Sequence, residues 1–344
     1  MASRRVMVTM NSYDVIVVGG GPTGLACAIE AKRRGLTQLV IEKGCVVNSI
    51  LHYPVNMIFF TTPELLEIGD IPLVSQREKP TRLEALKYYR LVAQHYQLEI
   101  RQYELVEEIQ GEDGSFEVIT RTGHGGVGRY KAKKLILATG YYDLPNMLGI
   151  PGEDLPKVSH YYTEAHPYFN CDVAVIGGAN SAAETALDLY RNGARVTLIH
   201  RLPSLSHRIK YWVRPDIDNR IKRGEIPALF ETEVLEIRED SILVAPMNGN
   251  AGKKPVQELR NDFVLALVGY HPDSGFLQRA GVRIGPNRMR PECDPQTLES
   301  NIKGLYLAGV IIAGLDSHEI FIENGRFHGK QVVADIVAKL GDGG

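Results

Sequence analysis

The side chains that could carry redox chemistry are few. The chain has four cysteines, Cys27, Cys45, Cys171 and Cys293. Disulfide exchange needs one thiolate to attack and usually a second thiol to resolve the mixed disulfide, so a Cys-x-x-Cys pair is its common signature. No such pair occurs here. The wide spacing also provides no disulfide framework and no zinc site, and it fits a reducing cytoplasm. Cys45, in IEKGCVVNSI, follows a strand-ending acid and is the best remaining thiol, yet the stretch after it supplies no partner. Cys27 falls one turn into a helix, on a face expected to pack against a sheet. Cys171 starts a strand and Cys293 lies in a Pro-rich loop, so both read as incidental.

The glycines are more informative. Residues 13–43, YDVIVVGGGPTGLACAIEAKRRGLTQLVIEK, align without gaps on residues 171–201, CDVAVIGGANSAAETALDLYRNGARVTLIHR. Each copy has an apolar strand, a glycine turn, a helix with small residues near its start, a Gly stop (Gly35, Gly193) and a second apolar strand. That is the βαβ nucleotide-binding unit, present twice. Copy one reads Gly19-x-Gly21-x-x-Gly24, with Pro22 and Thr23 inside the turn. The first glycine makes the turn, the second admits a pyrophosphate to the backbone, and the third lets helix and strand approach. Phosphate then rests on the helix N-terminus, where unpaired N–H groups favour negative charge. Copy two, Gly177-Gly178-Ala179-Asn180-Ser181-Ala182, is a degraded but workable form.

The copies differ at the end of the second strand. Copy one ends in Glu42, a carboxylate able to accept hydrogen bonds from both ribose hydroxyls of an unphosphorylated adenosine. Copy two has His200 and then Arg201, with Arg208 and Lys210 following. Guanidinium binds a 2′-phosphate through a planar fork, whereas a carboxylate would repel it. Copy one therefore reads as a site for FAD and copy two as a site for NADPH.

Further elements position these motifs. KLILATG at 134–140 is an apolar strand with a small-residue turn at Ala138, Thr139 and Gly140, and FVLALVG at 263–269 is its counterpart after copy two. GLYLAGVIIAG and a closing helix follow. Thr81-Arg82-Leu83-Glu84 is a capping box opening a helix to about Gln97, with Tyr88 and Tyr89 as packing residues. Asp113-Gly114 marks a hairpin. YPVNMIFFTT at 53–62 is an apolar–aromatic run that serves either as core or as a wall beside a bound ring. The ten histidines are scattered, and no metal-spaced cluster is legible. His318, Glu319 and Glu323 are candidate proton donors but read first as solvated helix-start residues.

Composition limits the rest. With 344 residues, two domains are expected. A formal charge of −2 removes any electrostatic ground for nucleic-acid or membrane-surface binding. No apolar run of about 18 residues suits a membrane span. The N-terminus has no signal-peptide stretch, and Met10 is an alternative start.

These residues resemble the low-molecular-weight thioredoxin reductases in order: half-domain, ATG strand, inserted nucleotide domain, second ATG-like strand, AG turn and closing helix. More narrowly, VVNSI at 46–50, LEIGD at 66–70, ATGYYDLPN at 138–146, GIPGEDLPKVSHYY at 149–162, HPYF at 166–169, GYHPD at 269–273 and EIFIENGRFHG at 319–329 resemble the YpdA-type family of bacillithiol-disulfide reductases. The resemblance implies an α/β protein of two Rossmann-like, three-layer ββα domains: an FAD domain over 1–145 and 271–344, and an inserted NADPH domain over 146–270. It implies a cytoplasmic homodimer or larger homo-oligomer. Carried over by position, Gly19, Gly21, Pro22, Thr23, Gly24, Glu42, Lys43 and Asn48 hold FAD, with Ala138, Thr139 and Gly140 beside it. Gly309 and Val310 stand where thioredoxin reductases have Gly-Asp, and valine cannot make the aspartate's hydrogen bond. The backbone at Glu319 and Ile320 would face the flavin. Gly177, Gly178, Ala179, Asn180, Ser181, Ala182, His200, Arg201 and Arg208 form the NADPH set.

The resemblance also exposes an absence. Thioredoxin reductases carry their Cys-x-x-Cys where this chain has His160-Tyr161-Tyr162-Thr163. Some YpdA-type members have a cysteine in the glycine turn, where this chain has Thr23. The chain therefore reads as a flavin disulfide reductase-like enzyme working without an internal dithiol, with Thr23 and Cys45 the only candidates beside the flavin. Three electron acceptors or roles stay open: a small-molecule disulfide such as bacillithiol disulfide, a ferredoxin- or flavodoxin-type redox protein, and a slow NADPH-binding redox sensor. The inserted domain hangs on two linkers, near 145 and 271, so a domain rotation is expected to accompany turnover.

Overall fold

The computed structural model describes residues 11–247 and 256–341. Met10, the alternative start, lies outside them. The chain divides into two compact units. The first comprises the described residues up to His52, then Met57–Leu144, then His271 onward; the second comprises Tyr53–Asn56 and Pro145–Tyr270.

In the first unit, strand β1 (Ser12–Val18), helix α1 (Pro22–Arg33) and strand β2 (Gln38–Glu42) form the first βαβ motif. Short helices α2 (Asn48–Leu51) and α3 (Pro63–Leu66) follow, then the long helix α4 (Arg82–His95). Strands β3 (Ile100–Gln102), β4 (Glu104–Glu112), β5 (Ser115–Thr122) and β6 (Val127–Leu137) complete this half of the sheet. The order is β3-β2-β1-β6-β5-β4, with strand Leu305–Leu307 joining parallel to β6. β6 is the seam. Its early residues pair antiparallel with β5, and its later ones pair parallel with β1. Val15, Ile16 and Val17 are all fully buried, so β1 is apolar on both faces, as a covered parallel strand must be. The closing helix His328–Gly341 packs on α1, and a Cβ at Gly329 would stand 2.8 Å from the Ala26 backbone.

Helix α4 begins with the expected capping box: Thr81 accepts from the Glu84 N–H, and the Glu84 carboxylate accepts from the Thr81 N–H at 2.7 Å. The helix ends at His95, just short of the expected Gln97. Tyr88 and Tyr89 pin the segment ahead of it. The Tyr88 hydroxyl accepts from Ile68 N–H and donates to Ile71 C=O, each at 2.8 Å. Tyr89 donates to Leu66 C=O at 2.8 Å. Each such bond is worth about 1 kcal/mol. Asp113-Gly114 joins β4 to β5 as a two-residue hairpin.

The second unit repeats the plan. Its five parallel strands run Ala228–Leu229, Arg195–Ile199, Asp172–Ile176, Phe263–Ala266 and Val158–Ser159 across the sheet. Helix Asn180–Arg191 connects the central strand, Asp172–Ile176, to its neighbour Arg195–Ile199. An antiparallel meander of Thr232–Ile237, Ser241–Pro246 and Gln257–Arg260 supplies the third layer. The repeat read from the sequence holds bond by bond. Gly19 N–H donates to Ile41 C=O at 2.8 Å, and Gly177 N–H donates to Ile199 C=O at 3.0 Å. Ala138 N–H to Val18 C=O is matched by Leu267 N–H to Ile176 C=O, both at 2.8 Å.

The structure narrows the reading of one segment. The run at 53–62 is not a core: Phe60 is 56% exposed, and Val55 and Ile58 are also exposed, while Phe59 alone of its large apolar side chains is buried. Nor does the whole run belong to one unit. Tyr53–Asn56 groups with the second, where Val55 N–H donates to Thr163 C=O at 2.9 Å.

Candidate functional site

The first glycine turn shows why each glycine is needed. Gly19 has φ +107, and a Cβ there would lie 2.4 Å from Ala138 O. A Cβ at Gly24 would lie 2.0 Å from Gly19 O, so helix and turn touch directly. At Gly21 a Cβ would meet nothing within 4 Å. Two glycines close the turn and the middle one leaves open space in front of α1. Pro22 occupies the first helical position, where a missing N–H costs nothing. The Thr23 and Gly24 amides, next in the helix, find no acceptor among the described residues, as expected of donors at a helix N-terminus. Open space and unpaired donors fit a dinucleotide pyrophosphate.

Glu42 lies beneath this turn. Its carboxylate accepts the Gly20 N–H at 2.6 Å and the Gly44 N–H at 2.8 Å. It is buried, and burial raises its pKa although both amides act the other way. A carboxylate has about four lone-pair sites, so two amides leave capacity for ribose hydroxyls. Val47 N–H donates to Gly20 C=O at 2.9 Å, which brings Asn48 to the same place, with its side chain against Gly44. Cys45 Sγ lies 3.8 Å from Asn48 Oδ1. Burial, then the charge of Glu42, pushes the Cys45 thiol up, opposite to the activation a nucleophile needs. The Lys43 ammonium pairs with Asp143 at 2.9 Å, tying the loop after β2 to the segment after β6. It anchors the wall of the site.

Across the turn, Ala138 and Thr139 back onto Gly19, and Gly140 opens onto empty space at φ +74. Thr23 points toward the closing segment. Its hydroxyl would lie 3.2 Å from a Cβ at Gly309 and 3.0 Å from one at Gly325. The Gly309 N–H donates to His328 Nδ1 at 3.0 Å, and Val310 opens a 3-10 turn, Val310–Ala313. Glu319 is held by three contacts. Its carboxylate pairs with Arg290 at 2.6 Å, its N–H donates to Asp316 C=O, and its own C=O accepts from Asn324. Ile320 packs against Gly325. Glu323 is half-buried, and burial raises its carboxyl pKa. Asp316, His318 and Glu319 cluster closely enough to hold a cation, but Arg288 and Arg290 already neutralise the two carboxylates.

Sequence reasoning missed His328, Gly325 and Asp143, although each lies in a segment it had singled out. The spacing that brings Gly309 to His328 is a tertiary fact without a local signature.

The second turn repeats the logic with different atoms. A Cβ at Gly177 would stand 2.5 Å from Leu267 O and 2.9 Å from the Ala182 Cβ. Gly178 is required by His200, whose ring would lie 2.3 Å from an added Cβ. Burial, then Arg201, lowers the His200 pKa, so the ring is neutral. Ala179 caps helix Asn180–Arg191 and exposes its N-terminus, beside Ser181. Asn180 fixes the following loop, donating to Arg208 C=O at 3.1 Å and accepting Lys210 N–H at 2.9 Å. Lys210 itself pairs with Glu184 at 2.6 Å. Arg201 and Arg208 are exposed and form no ion pair among the described residues. Two free guanidinium groups beside an open helix N-terminus fit a phosphorylated ribose.

Two of the remaining thiols are not chemically poised. Cys27 is fully buried, and burial pushes its thiol up to about 12. Burial also raises Cys293. In the dithiol window, His160 stands 3.5 Å from Glu153, Tyr161 stacks on Tyr270 at 5.3 Å, and Tyr162 donates to Asp188.

Two cradles in matching register, one per α/β unit, define a two-nucleotide oxidoreductase fold of the thioredoxin-reductase-like class. A family profile described as pyridine nucleotide-disulphide oxidoreductase matches residues 16–309. The chain is 44% identical to the bacilliredoxin reductase Bdr of Bacillus subtilis over 96% of its own length and 99% of that protein's. It superposes on the bacillithiol disulfide reductase Bdr (YpdA) of Bacillus cereus with a TM-score of 0.91 at 42% identity, covering 96% of this chain and 100% of that one. The Staphylococcus aureus Bdr (YpdA) gives 0.90 at 41% identity, covering 96% and 99%. The chain belongs to the pyridine nucleotide-disulphide oxidoreductase family, in its Bdr (YpdA) branch, and is an oxidoreductase. Among the described residues no helix is long and apolar enough to cross a membrane.

Proposed function

We propose that this chain is an FAD-dependent NADPH oxidoreductase that reduces a low-molecular-weight disulfide of the bacillithiol-disulfide type, without an internal dithiol, as a cytoplasmic homo-oligomer. The carrying observation is the contrast between the cradles: a buried carboxylate under Gly20 in one, two unpaired guanidinium groups beside the other. The acceptor class is the one for which the Bacillus cereus and Staphylococcus aureus relatives are named.

When bound, the two nucleotides supply hydride transfer and two-electron reduction, so that disulfide, NADPH and a proton become two thiols and NADP⁺. The protein's work is to bind and orient. Gly19, Gly21 and Gly24 would seat the FAD pyrophosphate on the α1 amides, and Glu42 would accept the adenosine ribose hydroxyls. Arg201 and Arg208 would hold the NADPH 2′-phosphate, with Gly177 to Ala182 cradling its pyrophosphate. Thr23 cannot form a mixed disulfide, and Cys45 has a raised thiol pKa and no thiol partner, so no thiol relay is assigned.

The test is a half-reaction. The purified flavoprotein is reduced anaerobically with NADPH and mixed with bacillithiol disulfide, with ferredoxin, or with buffer, while flavin absorbance is followed. The proposal expects reoxidation by the disulfide well above buffer. Reoxidation by ferredoxin alone would replace the acceptor class, and no acceleration by either would favour a sensor.

A further inference from the structure

His328 opens the closing helix, is partly buried, and accepts the Gly309 N–H on Nδ1 at 3.0 Å. Because Nδ1 is the acceptor, the ring's proton is on Nε2. Burial lowers the pKa of the ring, so it stays neutral and able to accept. Gly309 is also held on its other sides. Its φ is +81, its carbonyl accepts the Ile312 N–H at 3.3 Å, and the Thr23 side chain fills the space a Cβ would need. The next amide, that of Val310, finds no acceptor among the described residues. Its side chain has no polar atom.

We infer that His328 is a positioning residue for the flavin nucleotide: by holding the Gly309 N–H it fixes the turn so that the Val310 N–H, and no side chain at 310, is the donor offered to FAD. This inference rests on the FAD reading of the first cradle. The physical reason is geometric. A turn anchored by a side chain at 310 could tolerate a loose backbone, whereas one that binds through a main-chain amide must have that amide's orientation set by its neighbours. Gly309 is free to rotate in a way no other residue is, and the imidazole removes that freedom from the amide side. Thr23 removes it from the other.

The test compares substitutions that keep or move the acceptor. Asn at 328 places a carbonyl oxygen close to the Nδ1 position, Gln places it near Nε2, and Leu removes it. FAD release from the diluted holoprotein, followed by flavin fluorescence, and the fine structure of the visible flavin band are the readouts. H328L and H328Q should release FAD about tenfold faster, the scale of one lost hydrogen bond, with a blurred band. H328N should stay within about threefold of wild type. Equal release by H328Q and H328N overturns the inference, even if H328L fails to fold, and so does wild-type release by H328L. A wild-type protein that carries no flavin defeats the FAD reading and this inference together. A yellow wild type with an equally tight H328Q defeats the inference alone.

Discussion

The Glu42 carboxylate accepts the Gly20 N–H at 2.6 Å, and in the second unit the His200 ring lies against Gly178 in the matching place. In both units the residue at or just past the end of the second strand, Glu42 or His200, packs under the glycine that follows the first of the turn, Gly20 or Gly178. The contact is conserved within the molecule while its chemistry is not: an acceptor carboxylate in one copy, a neutral ring followed by a guanidinium in the other. One scaffold therefore offers two differently charged nucleotide sites.

Glu42→Gln tests the first. The amide keeps an acceptor for one glycine N–H but turns a donor toward the other, and it loses the charge that strengthens bonds to ribose hydroxyls. FAD affinity should fall tenfold to a hundredfold, about 1.5–3 kcal/mol for bonds to a charged acceptor. The sign of the pH effect follows from the raised pKa. A carboxyl with a folded-state pKa above its unfolded value contributes stability below the unfolded value, and loses it as pH rises through the folded one. The flavin-free wild type should lose urea stability relative to Glu42→Gln as pH rises through the carboxylate range. A parallel pair of pH profiles counts against it.

Gly178→Ala should destabilise the second unit by about 1–3 kcal/mol, because a methyl would lie 2.3 Å from the His200 ring. Since the obstacle is one side chain, His200→Ala in the same protein should recover most of the loss. The same experiment at Gly24 should find no such rescue, because there the obstacle is the backbone oxygen of Gly19 at 2.0 Å. Thermal midpoints of the single and double variants decide this.

Arg201→Ala and Arg208→Ala should raise the KM for NADPH about tenfold or more each, and leave that for NADH nearly unchanged, since a guanidinium pair with a phosphate is worth about 1.5–3 kcal/mol. Similar losses with both coenzymes would show that these arginines serve the fold and not the 2′-phosphate.

Cys45→Ser should leave flavin reoxidation by bacillithiol disulfide within about twofold of wild type. Its raised thiol pKa predicts slow alkylation by iodoacetamide at neutral pH, and Cys27, pushed up to about 12 and fully buried, should alkylate only after unfolding. Loss of reoxidation in the Cys45→Ser protein would restore a thiol mechanism.

The capping box of α4 has an acid signature. The Thr81 and Gln76 amides lower the Glu84 pKa from 4.5 to about 2. A lowered carboxyl contributes stability above its unfolded pKa and loses it as pH falls through the folded one. Glu84→Gln should therefore cost about 1 kcal/mol at neutral pH, and the gap to wild type should narrow on acidification. Urea midpoints at several pH values measure it.

Much of this was legible in the chain. The repeat, both glycine turns, the difference between Glu42 and His200-Arg201, the capping box and the Asp113-Gly114 hairpin all rest on contacts between near neighbours in sequence or on a period that a strand or helix imposes. The missing dithiol was legible because a thiol cannot be supplied by folding. What the chain alone did not show has the opposite character. Lys43 carries no local sign of its ion pair with Asp143, far along the chain. The 53–62 run reads as core or as the wall beside a bound ring, and the exposure of Phe60 removes the first. Glu319 carries no local sign of Arg290 at its carboxylate.

The sequence by itself determined that two dinucleotide units exist, which of them carries the carboxylate, and that no cysteine pair stands beside either, because residue identity and local spacing settle all three. Only the tertiary structure decided what surrounds the first cradle: Thr23 against Gly309 and Gly325, and His328 holding the Gly309 amide. Those partners are separated by hundreds of residues or lie on different elements. They meet only after the β-strands have paired and the closing helix has packed on α1, so no local period could announce them.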